Sequence, residues 1–417
     1  LQNAQKLVNE HEKNIRFEPN KMQKEALESL NLLRENNQNK ALIVSATGTG
    51  KTYLAVFDVK QFNPNRILFI AHRDNILRSA KESFEFEFEN SKTYGFINGQ
   101  EKEFNKDFIF ASSSTLNKDE NLFKFNKDHF DYIIVDEAHH SAANSIEKII
   151  KYFEPKFLLG LTATPNRTDG KEIYSLYSNN IAYEINLKKA LENNLLCRFN
   201  YFGINDKFLL NTTNAKELCN ENRINYIIEK AKYYGCYNNK VQGLIFVSSK
   251  SEAKLLTEMF NDKGIRTKYI LSETKDNDKI TIINELRERK IDYIVSVDVL
   301  SEGVDMPFVN QIIMLRPTKS TIVFSQQLGR GLRKYHDEFN YKDYLVVLDF
   351  IGNYDDNFLI PIALSNTTKI DKDNIKKTLV DIKYEEFNCN IEFDRISEEK
   401  IINSIDRSTS KIKVMFN

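Results

Sequence analysis

Short apolar runs recur along this 417-residue sequence at intervals that leave room for one amphipathic helix between neighbours. In the first half they are ALIVSAT (41–47), RILFIAH (66–72), DFIFASS (107–113), DYIIVDE (131–137) and FLLGLTAT (157–164). The second half restarts with CRFNYFGI (197–204) and continues through GLIFVSS (243–249), TKYILSE (267–273), DYIVSVD (292–298), QIIMLRP (311–317) and DYLVVLDF (343–350). Runs without a polar alternate face describe strands buried on both sides, as in parallel sheets covered by helices. Two such series predict two α/β units, and single cores stop growing near roughly 250–300 residues in any case.

Two segments resist a simple reading. FEFEFEN (84–90) alternates with period two, as a strand would, yet follows an apolar strand and a polar helix start, so a helix end fits equally well. Beyond residue 366 the text turns polar (SNTTKIDKDNIKKT) before a helix-like DRISEEKIINSI (394–405). The expected organisation is a first domain over 1–195, a second over 196–365, and a linker with the start of a C-terminal element over 366–417.

Composition narrows the function classes. Lys+Arg and Asp+Glu number 59 each, which argues against an indiscriminate polybasic nucleic-acid binder without excluding a local basic track. Cys197, Cys219, Cys236 and Cys389 form no C-x-x-C pair, against a disulfide scaffold or structural zinc site and in favour of a reducing, cytoplasmic setting. No apolar run approaches the ~18–20 residues of a membrane span, so no membrane partner is expected. The opening LQNAQKLVNEHEKN, without an initiator Met, reads as the edge of a longer chain.

The first chemistry lies where strand 41–47 runs into Thr47-Gly48-Thr49-Gly50-Lys51-Thr52 and an apolar helix. Successive backbone N–H groups and a helix N-terminus there suit a phosphate. Lys51 would reach the β/γ oxygens of ATP and the Thr52 hydroxyl would ligate Mg²⁺. The pattern G-x-x-x-x-G-K-[ST] departs at its first position, Ser45, and the plain alternative is a glycine-rich turn with a solvated lysine. Asp136-Glu137-Ala138-His139 ends DYIIV, and open α/β sheets bind ligands beyond the carboxyl ends of their strands. Asp136 is thus a candidate for Mg²⁺ and Glu137 for the attacking water. Adjacent His139 and His140 lack a third metal ligand nearby and read as hydrogen-bonding residues, His139 linking this loop to the next motif.

With these motifs placed, the chain resembles the superfamily 2 helicases of the DEAH/DExH branch. The resemblance implies two RecA-like domains, each a mostly parallel sheet with helices on both faces, plus a short C-terminal extension. Thr162-Ala163-Thr164 resembles the motif coupling nucleotide state to grip, making Thr162 and Thr164 coupling residues beside His139. Asp298 to Pro307 is similar to motif V, with Val297 where Thr is usual and Asp305 a candidate ATP-ribose or interdomain contact. Gln326-Gln327-Leu328-Gly329-Arg330-Gly331-Leu332-Arg333 matches the Q-x-x-G-R-x-x-R form of motif VI. It implies that Gln326 positions water and that Arg330 and Arg333 meet the γ-phosphate. Gln23 resembles the adenine-reading glutamine, although the arginine often found three residues earlier is Asn20. A plain polar helix residue is the alternative. IAYEINLKKALENNLLCRFNYFGI and VLDFIGNY resemble the core of bacterial proteins related to RadD and type III restriction subunits, some of which carry a phospholipase D-type nuclease module. A fused or associated nuclease is therefore a possible partner.

The family holds nucleic acid through backbone amides, hydroxyls and helix N-termini, which position a strand without reading it. Arg73, Ser114, Thr115, Ser248, Ser249 and Ser301 are the side chains expected along that track, with helix capping the alternative for the hydroxyls. Lysine-bearing KSEAK (250–254) and RERK (287–290) read as solvated helix faces. The expected function is an ATP-dependent helicase or translocase, on DNA more readily than RNA. The competing reading is an ATP-gated clamp or sensor without strand separation; the two part on a strand-displacement assay.

Overall fold

A computed structural model describes residues 18–46, 48–138, 144–163, 173–185, 187–209, 212, 214–297, 306–317, 321–336, 341–352, 354–364, 372–381 and 389–408. The chain forms two compact units, the first mostly within residues 1–184 and the second mostly within 185–417.

The first unit is built on strands β1 (Lys40–Ser45), β2 (Ile67–Ala71), β3 (Tyr94–Ile97), β4 (Phe108–Ser112), β5 (Tyr132–Val135), β6 (Phe157–Thr162) and β7 (Ile181–Ile185), in the order β3-β4-β2-β5-β6-β1-β7. Each of the first six runs parallel to its neighbours among them. Helices α1 (Lys21–Glu35), α2 (Lys51–Phe62) and α3 (Asp74–Phe88) belong to this unit. Its strands feed two cores. Ala41, Ile43, Phe69, Ile134 and Leu159 enter one with α1, α2 and α3, while Leu42, Val44, Leu68, Ile70 and Val135 enter the other with Leu116, Ile149 and Phe153. Two buried faces are why these strands carry no polar alternate.

FEFEFEN resolves as the end of α3 and a following 3₁₀ turn, Glu89–Ser91. Phe84 and Phe88 are four apart and share the inward face of a helix. Phe84 packs edge-on to Phe108 and Phe110, whereas Glu85 pairs outward with Lys81 and Glu87 pairs across to Lys60 of α2.

The second unit carries β8 (Arg198–Asn205), β9 (Gly243–Phe246), β10 (Thr267–Ile270), β11 (Tyr293–Ser296), β12 (Gln311–Met314), β13 (Tyr335–His336), β14 (Tyr341–Lys342), β15 (Tyr344–Ile351) and β16 (Asn390–Phe393). Seven of them make a parallel sheet in the order β10-β11-β9-β12-β15-β8-β16, and β13–β14 is a separate antiparallel hairpin. Its helices include α4 (Glu221–Tyr234), α5 (Lys250–Asp262), α6 (Thr321–Leu332) and α7 (Arg395–Arg407). Two seven-stranded, mostly parallel sheets with helices are the α/β architecture expected, and each run quoted from the sequence contains a strand. The polar C-terminal text supplies β16 along β8 and α7, whose Lys400 donates to the Asn205 side chain and the Ile351 carbonyl.

Candidate functional site

Five parallel strands of the first sheet end on one rim, so the segments after β4, β2, β5, β6 and β1 lie along it in that order. They carry, in turn, Ser113–Thr115, Arg73, Asp136–Glu137, Ala163 and the loop into α2. One strand, β6, separates the carboxylates from the phosphate loop, a step of about 10 Å at the usual strand spacing.

The loop from β1 to α2 turns on Gly48 (φ +90°) and Gly50 (φ +84°), both in the left-handed region where a Cβ is unfavourable. Thr49 tightens it by donating its hydroxyl to the Ala46 carbonyl at 2.7 Å. Gly50 caps α2 without a side chain, leaving first-turn N–H groups of the kind that receive anions. Lys51 donates from Nζ to the Ser45 carbonyl at 3.0 Å, so the residue at the departed first position holds the lysine through its backbone, where side-chain identity is immaterial. Thr52 is half-buried at the start of the helix. Thr47 lies outside the described residues.

Gln23 is buried at the start of α1 and both ends of its amide are engaged. Its Oε1 accepts the Asn20 N–H at 2.9 Å while Asn20 Oδ1 accepts the Gln23 N–H at 3.0 Å, a reciprocal capping box. Its Nε2 donates to the Gly50 carbonyl at 3.2 Å. Gln23 thus ties α1 to the phosphate loop, and Asn20 serves as the helix cap.

Asp136 is buried, and its Oδ1 accepts the Glu137 N–H at 2.9 Å. Glu137 has φ +50°, a conformation that side-chain-bearing residues avoid and that clusters at functional sites. Thr162 is fully buried at the end of β6, level with Val44 of β1. His139, His140 and Thr164 lie outside the described residues.

Farther along the rim, Arg73 donates from Nε to His72 Nε2 at 3.1 Å. Ser114 is exposed and shares a hydrogen bond with Ser112 at 2.9 Å, whereas Thr115 is buried. In the second unit Ser249 caps α5 by accepting the Glu252 N–H at 3.2 Å, the alternative role weighed for the hydroxyls, and Ser248 is exposed. Ser301 and Asp305 lie outside the described residues, with most of motif V. Gln326 and Arg330 fall within α6, their side chains outside the described residues, and Arg333 follows the helix in an isolated bridge with Leu196.

Sequence reasoning passed over a buried charge cluster in the second unit. Arg223 and Glu252 are fully buried, and Arg223 Nε donates to Asp206 Oδ2 at 2.9 Å. Glu252 Oε2 accepts the Ser248 N–H at 2.9 Å, so the triad fastens the β9–α5 loop. A capping pattern, Ser249 followed three residues later by Glu252, was its one local signal.

A phosphate-type loop, an Asp-Glu pair on the same sheet rim and a second parallel-sheet unit define a two-part RecA-like ATPase fold. Residues 16–167 match the family model described as Type III restriction enzyme, res subunit, and residues 220–335 match Helicase conserved C-terminal domain. IRC3 of Saccharomyces cerevisiae, named as an ATP-dependent helicase, is 28% identical over 334 residues, covering 74% of this chain and 48% of that one. Among solved structures, the ATP-dependent Type ISP restriction-modification enzyme LlaBIII bound to DNA superposes with TM-score 0.65 at 15% identity, over 96% of this chain and 33% of that one. Dbp5 of S. cerevisiae bound to RNA and ADP BeF3 does so with TM-score 0.60 at 15% identity, over 96% and 94%. Two helicase-type family domains thus lie one in each unit, and the chain is similar to superfamily 2 helicases with a core like that of restriction-enzyme subunits. It spans about half the length of the curated relatives it matches. Among the described residues no helix is long and apolar enough to cross a membrane.

Proposed function

We propose that this chain is the motor core of a DNA translocase or helicase that hydrolyses Mg²⁺-ATP between its two RecA-like units. The observation that carries the reading is the order along the first sheet's rim: candidate strand contacts, then Asp136 and Glu137, then Thr162, then the phosphate loop. In this reading the turn 47–50 and the α2 N-terminus cradle the phosphates, Lys51 pairs their outer oxygens and Gln23 meets the adenine. Thr52 and Asp136 would hold Mg²⁺, which would offset phosphate charge. Glu137, with its positive φ directly after the strand end, orients and deprotonates water.

Arg330 and Arg333, carried by the second unit, neutralise charge on the transferred phosphoryl group, with Gln326 on the water and Asp305 near the ribose. Such an arginine contributes roughly 10³–10⁵ in rate. Thr162, Thr164 and His139 couple this chemistry to a strand held by Arg73, Ser114, Thr115, Ser248, Ser249 and Ser301. Thr115, being buried, would act through its backbone. DNA is favoured over RNA by the restriction-subunit match over residues 16–167. The boundaries 1–195, 196–365 and 366–417 remain the proposed domain limits, with a nuclease as a proposed fused or associated partner and a cytoplasmic setting.

ATPase assays with single-stranded, duplex and forked DNA and RNA, beside strand displacement, test this directly. DNA is expected to stimulate turnover more than RNA; RNA-only stimulation would refute the substrate assignment. Stimulation without displacement would point to the clamp. Glu137→Gln is expected to keep ATP binding and lose at least ~100-fold in kcat, in line with general-base contributions; near-full turnover would remove Glu137 from that role.

A further inference from the structure

Directly after the arginine-bearing α6, the β13–β14 hairpin buries a lysine. Tyr341 is exposed and its neighbour Lys342 is buried, because alternate residues of a strand face opposite sides. The Lys342 ammonium donates to the carbonyls of Pro307, Val309 (2.9 Å) and Gly331 (2.6 Å). An ammonium has three N–H donors, and here three carbonyls receive them. Two belong to the turn 307–309, which begins on the last residue of motif V; the third belongs to the last turn of α6, between Arg330 and Arg333. Helix-end carbonyls lack partners within the helix and carry partial negative charge, which suits a cation.

Other contacts fix the same point. Cys197 donates its N–H to the Leu332 carbonyl at 2.7 Å and its thiol to the Gly331 carbonyl at 3.3 Å. Gly331 itself lies flat on the sheet: a Cβ there would stand 2.6 Å from Leu345 Cδ1 and 3.3 Å from Ile312 Cδ1. The end of the arginine helix is therefore pinned at a defined height, and Lys342 is the side chain that also joins it to the 307–309 turn. Removing a charged group from water is costly unless its geometry and partners compensate. A methionine or leucine would fill this space without tying two segments together.

We propose that Lys342 is a positioning residue for ATP hydrolysis: it holds the turn at the end of motif V and the arginine helix as one body, so that a shift of the first on nucleic-acid binding is transmitted to Arg330 and Arg333. The inference rests on the reading of those arginines given above. Lys342→Met removes the donors and keeps the bulk, whereas Lys342→Gln keeps two N–H donors on a shorter, neutral side chain. With the chain otherwise intact, Lys342→Met is expected to lower nucleic-acid-stimulated kcat about tenfold or more with KM for ATP within about twofold, the mark of a contribution made in the transition state. Lys342→Gln is expected to recover most of that loss.

Stimulated kcat within twofold of wild type for Lys342→Met overturns the proposal, as does an equal loss in both variants. So does a fall in kcat accompanied by an equal rise in KM. Should the Met variant not fold by circular dichroism, Lys342→Arg becomes the test: its planar fork cannot match three converging carbonyls. Reduced kcat at constant KM is then expected, and unchanged kcat overturns the proposal. Arg333→Ala separates the two levels. Full stimulated turnover in that variant removes the underlying reading of the arginine helix; lost turnover there with normal Lys342→Met removes the relay alone.

Discussion

Asp349 shows how far a residue's chemistry depends on what surrounds it. In the text DYLVVLDF it looks like an ordinary strand-end acid, yet it is buried in the second sheet beside Tyr201, whose hydroxyl donates to Oδ2 at 2.5 Å. Desolvation pushes its carboxyl from 3.8 up to about 7, the tyrosine's hydrogen bond opposing that rise. The folded form therefore holds a proton that the unfolded chain releases between about pH 4 and pH 7. Stability contributed by that proton is full below pH 4 and is lost as pH rises through 7. Asp349→Asn should leave the urea midpoint of the second unit nearly level across this window and raise it at pH 8. A wild-type minus variant difference that stays constant from pH 5 to pH 8 would contradict this. By contrast, the roles proposed for Lys51, Thr52, Asp136 and Glu137 rest on local context, a strand, a turn and a helix start within ten residues, which is why they were legible in the text. Arg223 was not: its partners Asp206 and Glu252 lie 17 and 29 residues away, and no local pattern announces a buried guanidinium.

At the scale of elements, the alternating FEFEFEN is decided by the sheet beneath it. Written as a strand it would put Phe84, Phe86 and Phe88 on one face. Written as a helix it puts Phe84 and Phe88 together against Phe108, which stands 5.9 and 5.2 Å from their centroids. The hydrophobic surface offered by β2 and β4 favours the helix. Phe84 is fully buried and also packs on Phe69 and Phe110. Phe84→Ala should cost about 3–5 kcal/mol, the usual range for emptying a large aromatic site in a core. Chemical denaturation of the chain would register it as a lowered midpoint for the first unit; a loss under about 1 kcal/mol would mean the site collapses around the void. Strands β7 and β16 are not legible in the sequence for the same reason: the half-polar edge segments IAYEI and NIEF gain their identity from the neighbour they pair with.

For the whole molecule, the equal count of 59 basic and 59 acidic residues takes on a different meaning beside the architecture. A motor of the proposed kind, gripping through amides, hydroxyls and a few arginines, needs no polybasic surface. Its affinity should still carry an electrostatic part, because each phosphate neutralised on a single strand contributes a slope near −0.7 in log K against log salt. A salt titration of single-strand affinity is expected to give a negative slope equivalent to a few phosphates. A slope indistinguishable from zero would sink the proposed backbone track.

What the sequence determined by itself is whatever is written locally: the βα rhythm that specifies two parallel sheets, and motifs whose members sit within a single turn of chain. Period and spacing act over a few residues, so they survive in one dimension. Tertiary structure alone decided the rest. It placed β6 between the carboxylates and the phosphate loop, paired β16 with β8 residues 190 positions earlier, and closed three carbonyls around Lys342 from turns 11 to 35 residues away. Those contacts form only once burial has brought distant segments together, and removal from water is what makes each unmade hydrogen bond costly enough to select one arrangement.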